Sequence, residues 1–278
     1  MPEPPFHKST GLPFIELDSI DSTNNYALAQ LHAGMAQHGT AYFARQQSAG
    51  KGQRGKIWVT EKDSSIILTV VIDPQPLSLT QQFELSVCTA VSVCDFFKKY
   101  AGDGVRIKWP NDLYWQDRKA GGILIENVIG GQRSEVRSRR TEVRENMSSL
   151  SAWRWAVIGI GINLNQTYFP AELKSPVSLK QITGIDYKTI ELAKELHQAI
   201  CNNFKRLITS GFDEFYSSYQ FCLYKRGETV KLKKGNRVFE ALVKSVSPNG
   251  KLIVEHAIEE EYDFGEIEWL IPTAIQEK

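Results

Sequence analysis

The segment from Gly50 to Lys56 holds three glycines and three cations within seven residues. Glycine frees backbone amides to turn toward a ligand, and closely spaced cations attract a polyanion such as a phosphate ester. The glycines also match G-x-G-x-x-G, the pattern of a dinucleotide-binding loop. That pattern needs a helix at its third glycine, whereas the residues after Gly55 predict strands. A phosphate-binding loop and a mobile surface loop are the two remaining interpretations.

Lys119 is the second residue that could do chemistry, because it precedes Gly121 and Gly122. Two glycines let a ligand approach the backbone closely, and a nearby ammonium group would then contact that ligand. The alternative is a solvated lysine in a turn, paired with Asp117. The segment alone does not separate these interpretations.

A third group of glycines alternates with isoleucines in the segment 155–165. The period of two predicts a strand with isoleucines on one face and Gly159, Gly161 and Asn163 on the other. Without side chains at the two glycines, that face is bare backbone on which a ligand can lie.

Hydrophobic periodicity predicts the scaffold that positions these residues. Helices are predicted between the capping residues 21–23 and Gly34, over 78–99 as the longest helix, and over 189–210. Strands are predicted over 41–46, 66–72 and 155–165, with an antiparallel meander of 105–109, 113–115 and 122–129. Lys119 falls in a turn of this meander. From about Tyr224 onward only short strands are predicted, the last over 261–270, and they indicate a small β-barrel.

Composition excludes several classes of function. The 278 residues carry 33 Lys and Arg against 32 Asp and Glu, a net charge of +1, so no overall positive field attracts nucleic acid or an anionic membrane. No run of eighteen uncharged apolar residues occurs and no signal peptide is recognisable, so we expect a cytoplasmic protein without membrane or DNA partners. The four cysteines form no C-x-x-C pair and are predicted to be reduced core residues: Cys88, Cys94, Cys201 and Cys222.

The segment 132–151 is polar and contains five arginines and three glutamates. A basic cluster can hold phosphate, but the interleaved acidic residues favour a solvated hairpin loop. We therefore predict that residues 133–150 are dispensable.

Four motifs in order resemble those of the biotin protein ligases, also called biotin–[acetyl-CoA-carboxylase] ligases. They are "DSTNNY" at 21–26, "QSAGKGQRGKIW" at 47–58, "KWPNDLYWQDRKAGGILIE" at 108–126 and "GIGIN" at 159–163. The resemblance implies an α+β fold, with a mixed or antiparallel sheet and helices of the class II aminoacyl-tRNA synthetase type over residues 1–222. It also implies a C-terminal SH3-like β-barrel over residues 223–278.

The resemblance implies a two-step reaction. ATP and Mg²⁺ would serve to join the biotin carboxylate to AMP, and the acyl group would then pass to one lysine of a biotin carboxyl carrier domain. That domain would belong to a biotin-dependent carboxylase such as acetyl-CoA carboxylase, and a homodimer is possible for such enzymes. The motif begins at Asp21, which leaves little room for the DNA-binding domain that some family members carry, so we expect no repressor activity.

The resemblance also assigns roles to residues. Lys119 matches the catalytic lysine, and Asp112 would serve the magnesium ion. Biotin would contact Ser22, Thr23, Asn24, Gln47, Gly50, Lys51, Gly122, Gly159 and Gly161. The nucleotide would contact Lys51, Gln53, Arg54, Lys56, Trp58, Asn111, Lys119 and Asn163.

One position departs from the family pattern G-R-G-R-x-G-R. Gln53 replaces its second arginine and Arg54 fills the variable position, so either Arg54 takes over the missing charge or the adenylate is held more weakly. Two other functions stay open at this stage. A lipoate ligase would share the fold and the chemistry, and a non-catalytic biotin or nucleotide sensor would share the binding site.

Overall fold

The computed structural model describes residues 11–58, 60–130, 153–173 and 175–270. Its main feature is a seven-stranded sheet with the strand order β1-β2-β5-β9-β8-β7-β6. The strands β1 and β2 are parallel and the other neighbours are antiparallel. The strands are β1 Phe14–Ile20, β2 Ala41–Gln47, β5 Ser65–Ile72, β6 Val105–Lys108, β7 Asp112–Trp115, β8 Arg118–Ile129 and β9 Trp153–Asn163, with a separate small hairpin of β3 Gly50–Lys51 and β4 Ile57–Trp58.

The described residues of the first part of the chain also form five α-helices: α1 Thr23–His32, α2 Gln82–Ala101, α3 Leu179–Thr183, α4 Thr189–Ser210 and α5 Asp213–Cys222. The long helices α2 and α4 pack together over one face of the sheet and form the main core. The opposite face carries α1, where Ala27 packs on Tyr42, Val71 and Val157. None of the described helices is long and apolar enough to cross a membrane.

The predicted bounds of α2 need correction. Residues 79–81 form a 3₁₀ turn, because the Ser78 and Gln81 side chains make a reciprocal capping box that tightens the chain before the α-helix begins at Gln82. The helix ends at Ala101 rather than at residue 99 and has 20 residues. The prediction that it is the longest helix is wrong, because α4 has 22 residues. The predicted start and end of α4 and its glycine stop at Gly211 are confirmed.

The predicted antiparallel meander is present as β6, β7 and β8, but β8 begins at Arg118 rather than at Gly122. The prediction that Lys119 lies in a turn is therefore wrong. Its backbone N–H donates to the Ser175 carbonyl (2.8 Å) and its carbonyl accepts from Val177 N–H (2.9 Å), and these bonds extend the strand.

The C-terminal residues form a five-stranded antiparallel sheet with the order β13-β12-β11-β10-β14. The strands are β10 Thr229–Lys234, β11 Arg237–Val246, β12 Leu252–Glu255, β13 Glu259–Tyr262 and β14 Glu268–Trp269. The single strand predicted over 261–270 is wrong, because a turn at Asp263–Glu266 divides it. The described strands do not close into a ring, so the sheet is confirmed and the SH3-like barrel is not.

The core of this sheet continues into the main core, since Leu232, Val243 and Trp269 belong to the same buried cluster as α2. Helix α5 ends at Cys222, where the sequence predicts the domain boundary, and that division stays a prediction. The predicted loop at 132–151 lies outside the described residues.

The four cysteines are buried and reduced, as predicted. Burial raises the pKa of Cys88 and of Cys201 to about 12, so these two thiols stay protonated at neutral pH.

Candidate active site

A cavity of about 880 Å³ lies on the face of the main sheet that carries α1, and it reaches the C-terminal sheet. The structure brings most of the sequence-predicted residues to its wall although they lie far apart in the chain. These are Ser22, Thr23, Asn24, Gln47, Lys51, Gln53, Arg54, Lys56, Trp58, Asn111, Asp112, Lys119, Gly122, Gly159, Gly161 and Asn163. One concave site of this size holds a ligand larger than a single nucleotide base.

Gly50 is the one predicted site residue that does not line this cavity in the described structure. A Cβ at this position would lie 2.4 Å from the Trp58 carbonyl oxygen and 2.8 Å from Nε2 of Gln47. The glycine therefore allows β3 and β4 to pair closely, and a side chain at this position would meet protein rather than the cavity.

Hydroxyl and amide groups form one end of the cavity, at the N-terminus of α1. Ser22 is buried at the N-cap position, and its side chain makes no capping hydrogen bond. Oε1 of Gln47 acts as the capping acceptor instead, because it accepts from the backbone N–H of Thr23 (2.7 Å) and from the Thr23 hydroxyl (3.0 Å). The Ser22 hydroxyl and the Gln47 amide nitrogen are therefore the groups that these contacts do not use.

The glycine face of β9 is covered, contrary to the expectation of bare backbone. A Cβ on Gly159 would lie 2.3 Å from Oδ1 of Asn24, and a Cβ on Gly161 would lie 2.5 Å from the Trp58 ring. The two glycines thus let an amide and an indole lie flat on the strand. A ligand in the cavity would contact these side chains as well as the backbone.

Lys119 and Asp112 form the charged centre of the cavity. Lys119 Nζ lies 2.6 Å from Asp112 Oδ1 across the antiparallel pair β7–β8, and about a third of the lysine side chain is exposed. Gly122 is opposite Asp112, and a Cβ there would lie 3.3 Å from the carboxylate and 3.6 Å from the ammonium group. The glycine therefore leaves one side of the ion pair open to a ligand.

The alternative partner of Lys119, Asp117, is engaged elsewhere. It accepts from the Tyr224 hydroxyl (2.7 Å) and lies 3.0 Å from Lys225 Nζ. Partial burial raises the pKa of Asp117, but the two partners lower it by more than burial raises it. The carboxylate therefore stays ionised. The pairing of Lys119 with Asp117 considered from the sequence is therefore wrong.

Two predicted nucleotide contacts have structural roles. The amide nitrogen of Asn111 donates to the Ile123 carbonyl and holds β8 in place. The amide nitrogen of Asn163 donates to the Val177 carbonyl (3.1 Å) and fixes the chain that follows β9. Each side chain keeps only its amide oxygen and one N–H for a ligand.

The glycine segment forms the β3–β4 hairpin with a 3₁₀ turn at Gln53–Gly55, and no helix follows it. The dinucleotide interpretation therefore fails. Arg54 adopts a left-handed backbone (φ 56°) and points toward the C-terminal sheet. Its guanidinium lies 5.2 Å from the Phe264 ring centre and donates to the Gly265 carbonyl (3.3 Å). Gly265 has φ +91°, and no side chain fits there beside Arg54.

The sequence reasoning missed the contribution of the C-terminal sheet to the cavity. Lys233, Phe264 and Trp269 line its far end. The indole N–H groups of Trp58 and Trp269 are buried and have no hydrogen-bond acceptor within the described part of the chain. Both tryptophans line the cavity, although their indole nitrogens are not exposed to it. No periodicity in the sequence signals such a tertiary contact.

The described residues contain no group of three or more His, Cys, Asp or Glu that could hold a metal ion on its own. Asp112 lines the cavity, and its Oδ1 contacts Lys119. Magnesium usually binds one or two carboxylates together with substrate phosphates and water, so Asp112 fits a magnesium ion only beside a bound nucleotide.

Comparison with known proteins gives consistent matches. The model of the biotin/lipoate A/B protein ligase family matches residues 16–137. The bifunctional ligase/repressor BirA of Bacillus spizizenii is 28% identical over 249 residues, which cover 88% of this chain and 70% of that protein. The biotin–[acetyl-CoA-carboxylase] ligase of Paracoccus denitrificans is 27% identical over 245 residues, 86% of this chain and 92% of that protein.

Among solved structures, the biotin protein ligase from Aquifex aeolicus in complex with biotin and ATP superposes with a TM-score of 0.72. The match is 24% identical and covers 94% of this chain and 99% of that chain. At this identity the likeness establishes the fold, including the mixed sheet with its helices.

Proposed function

The chain belongs to the biotin protein ligase family, and from this we propose that it adenylates biotin with ATP and passes biotin to a lysine of a biotin carboxyl carrier domain. The observation that carries the proposal is the position of Lys119. Its ammonium group, oriented by Asp112, lies in the same cavity as the polar end at α1 and the cations of the glycine segment. A carboxylate and a triphosphate would meet there.

The polar end at α1 suits the ureido ring of biotin. That ring offers two N–H donors and one carbonyl acceptor, so hydroxyl and amide side chains are its matching partners. Ser22, Thr23 and Gln47 would bind it, and Asn24 would contact the ring from the β9 side. The acyl chain would then extend past Asn24 and Trp58, which cover Gly159 and Gly161, toward Lys119.

The other end of the cavity suits the nucleotide. The cations of the glycine segment, Lys51, Arg54 and Lys56, would neutralise the phosphates, and Trp58 and Trp269, which line the cavity, would contact the nucleotide. Asp112 would hold a magnesium ion, which screens phosphate charge when it is bound. Asn111 and Asn163 would contribute their amide oxygens at the edge of this site.

Lys119 would act in the first step. A carboxylate is a poor acylating group, and joining it to AMP gives it a leaving group. Negative charge grows on the oxygens of the α-phosphate during this step, and an ammonium group fixed by Asp112 stabilises that charge more in the transition state than in the ground state. Lys119 is therefore the proposed catalytic residue.

In the second step the lysine amine of the carrier domain would attack the acyl carbon of the adenylate and release AMP. The cavity ends at the C-terminal sheet, which we interpret as the SH3-like domain predicted from the sequence and as part of the surface that meets the carrier. Its position beside Arg54 supports this role, because the glycine segment and the sheet would bound the opening together.

Pyrophosphate release tests the proposal directly. We expect release when the protein is mixed with ATP, Mg²⁺ and biotin, and a biotinyl adenylate detectable by mass spectrometry. The same assay with lipoic acid separates the lipoate ligase alternative, which would adenylate lipoate in preference. Biotin binding without any pyrophosphate release would instead indicate a sensor.

A further inference from the structure

Glu126 is a residue of the cavity region to which the sequence motifs assign no role. It lies on β8, on the same face as Gly122 and Leu124, because side chains alternate along a strand. Gly122 and Leu124 line the cavity, so this alternation places Glu126 on the ligand side of the sheet and further along the strand. Its partner across the sheet is Val157 of β9.

The two carboxylate oxygens of Glu126 contact two different parts of the site. Oε2 accepts from the amide nitrogen of Asn24 at 2.7 Å, and Oε1 lies 3.2 Å from Nζ of Lys51. Asn24 belongs to α1 at the biotin end, whereas Lys51 belongs to the glycine segment. A single carboxylate therefore joins the polar end of the cavity to the segment predicted to close over it.

Asn24 is held in one orientation by this contact. The residue is 3% exposed, its Oδ1 accepts from the Thr69 hydroxyl (2.7 Å), and its amide lies flat on Gly159. A carboxylate accepts hydrogen bonds only, so it selects the orientation with the NH₂ group toward Glu126 and the oxygen toward Thr69. Without that carboxylate, the amide could rotate and present the opposite groups to a ligand.

The hydrogen bonds continue from Thr69 to Thr23 and Gln47, at the same polar end of the cavity as Asn24. The Thr69 and Thr23 hydroxyls lie 2.8 Å apart, and Thr23 contacts Gln47. The Thr69 hydroxyl also contacts Oδ1 of Asn24, and the backbone N–H of Thr23 donates to Oε1 of Gln47. A continuous chain of contacts thus runs from Gln47 to Lys51 through Glu126.

We infer that Glu126 is a positioning residue that couples biotin binding at Asn24 to the position of Lys51 in the glycine segment. This inference rests on the proposed function, since it takes biotin as the ligand at Asn24. In the empty protein, Glu126 holds Lys51 and shields its charge. Bound biotin fixes the Asn24 amide, which in turn orders the Glu126 carboxylate. Lys51 then becomes more firmly ordered as well, because Glu126 holds its ammonium group.

The test compares the parent with Glu126→Gln, which keeps the size of the side chain and one acceptor but removes the charge. Trypsin cleavage after Lys51 reports how well Lys51 is held, and calorimetry reports biotin binding without ATP. Cleavage after Lys62 is the internal control, because Lys62 forms a comparable exposed ion pair with Asp18 (2.8 Å). Glu255→Gln is the matched variant, since Glu255 pairs with Lys244 in the C-terminal sheet (2.8 Å).

In the empty protein, Glu126→Gln is expected to speed cleavage after Lys51 roughly threefold, in the range that a partly exposed ion pair supports. Cleavage after Lys62 should not change, and neither should the melting temperature. Biotin should still bind within about threefold of the parent affinity, because the glutamine oxygen can still accept from Asn24. Biotin alone should protect Lys51 in the parent and in Glu255→Gln, but not in Glu126→Gln.

Equal cleavage after Lys51 in the empty parent and variant would overturn the inference, and so would equal protection by biotin in both. A different result would contradict the proposed function, namely that the parent protein shows no biotin binding by calorimetry. In that case the cleavage rates of the empty proteins still decide whether Glu126 positions Lys51.

Discussion

Lys119 Nζ and Asp112 Oδ1 lie 2.6 Å apart on adjacent strands, and Gly122 leaves the space beside them open. The carboxylate fixes the ammonium group, and the missing side chain allows a ligand to reach it. Strands hold such a pair more rigidly than the turn predicted from the sequence would, and a fixed charge is what transition-state stabilisation requires.

Replacing Lys119 with Gln removes the charge and keeps the length and polarity of the side chain. We expect adenylation to slow by about a hundredfold or more, roughly 3 kcal/mol, as for single electrostatic donors in other sites. Biotin affinity should change much less, because the proposed ureido contacts lie at the α1 end of the cavity and do not include Lys119. Biotin-dependent pyrophosphate exchange and calorimetry measure the two effects. Exchange within threefold of the parent would contradict a catalytic role.

Gly161→Ala tests the packing of Trp58 on β9. The new Cβ would lie 2.5 Å from the ring, so the indole must move, and we expect a loss of stability of about 1–3 kcal/mol together with weaker ligand binding. Thermal unfolding and biotin calorimetry measure the changes. Trp58→Ala provides the control, since Gly161→Ala should cost much less stability in that background. An equal loss in both backgrounds would argue against the contact.

The glycine segment should become ordered by substrates. Its glycines cost entropy to fix and its cations repel one another until phosphate binds, so we expect biotin plus ATP to slow trypsin cleavage after Lys51, Arg54 and Lys56. Cleavage after Lys62 should be unaffected. If both substrates leave the rates unchanged, the segment does not close over the ligand.

Arg54→Ala tests the contact between the glycine segment and the C-terminal sheet. Losing the contacts with Phe264 and Gly265 frees the segment at the nucleotide end, so we expect pyrophosphate exchange to fall about tenfold, roughly 1.4 kcal/mol. Arg237→Ala is the matched control, because Arg237 stacks on Phe239 (5.3 Å) in the same sheet without lining the cavity. Equal losses in both variants would mean that the effect is general.

His197 should make stability depend on pH. Burial lowers the pKa of this imidazole, partly offset by the hydrogen bond to the Gly39 carbonyl (2.8 Å), so the folded state binds its proton less readily than the unfolded state. Its contribution is complete above the ordinary histidine pKa and is lost as pH falls below that value. Urea unfolding at pH 7.5 and pH 5.5 should show a smaller difference for His197→Gln than for the parent. An unchanged difference would assign the pH dependence to other groups.

The sequence determined the elements with strong local signals. The period of two in β9 placed isoleucines in the core and glycines on the opposite face. The helical period of α4 and the glycine after it predicted both ends of that helix correctly. The residue types at the cavity wall were also readable, because Lys119, the glycine segment and Gln47 lie within short ordered motifs.

The tertiary structure decided which partner each of these residues has. Whether Lys119 contacts Asp117 or Asp112 depends on the register of β7 and β8, which neighbouring residues in the chain do not specify. The contacts of Glu126 with Asn24 and Lys51 span 102 and 75 residues, and Arg54 meets Gly265 across 211. Such contacts form only when separate elements pack, so local periodicity does not predict them. The cavity likewise exists only where those elements meet.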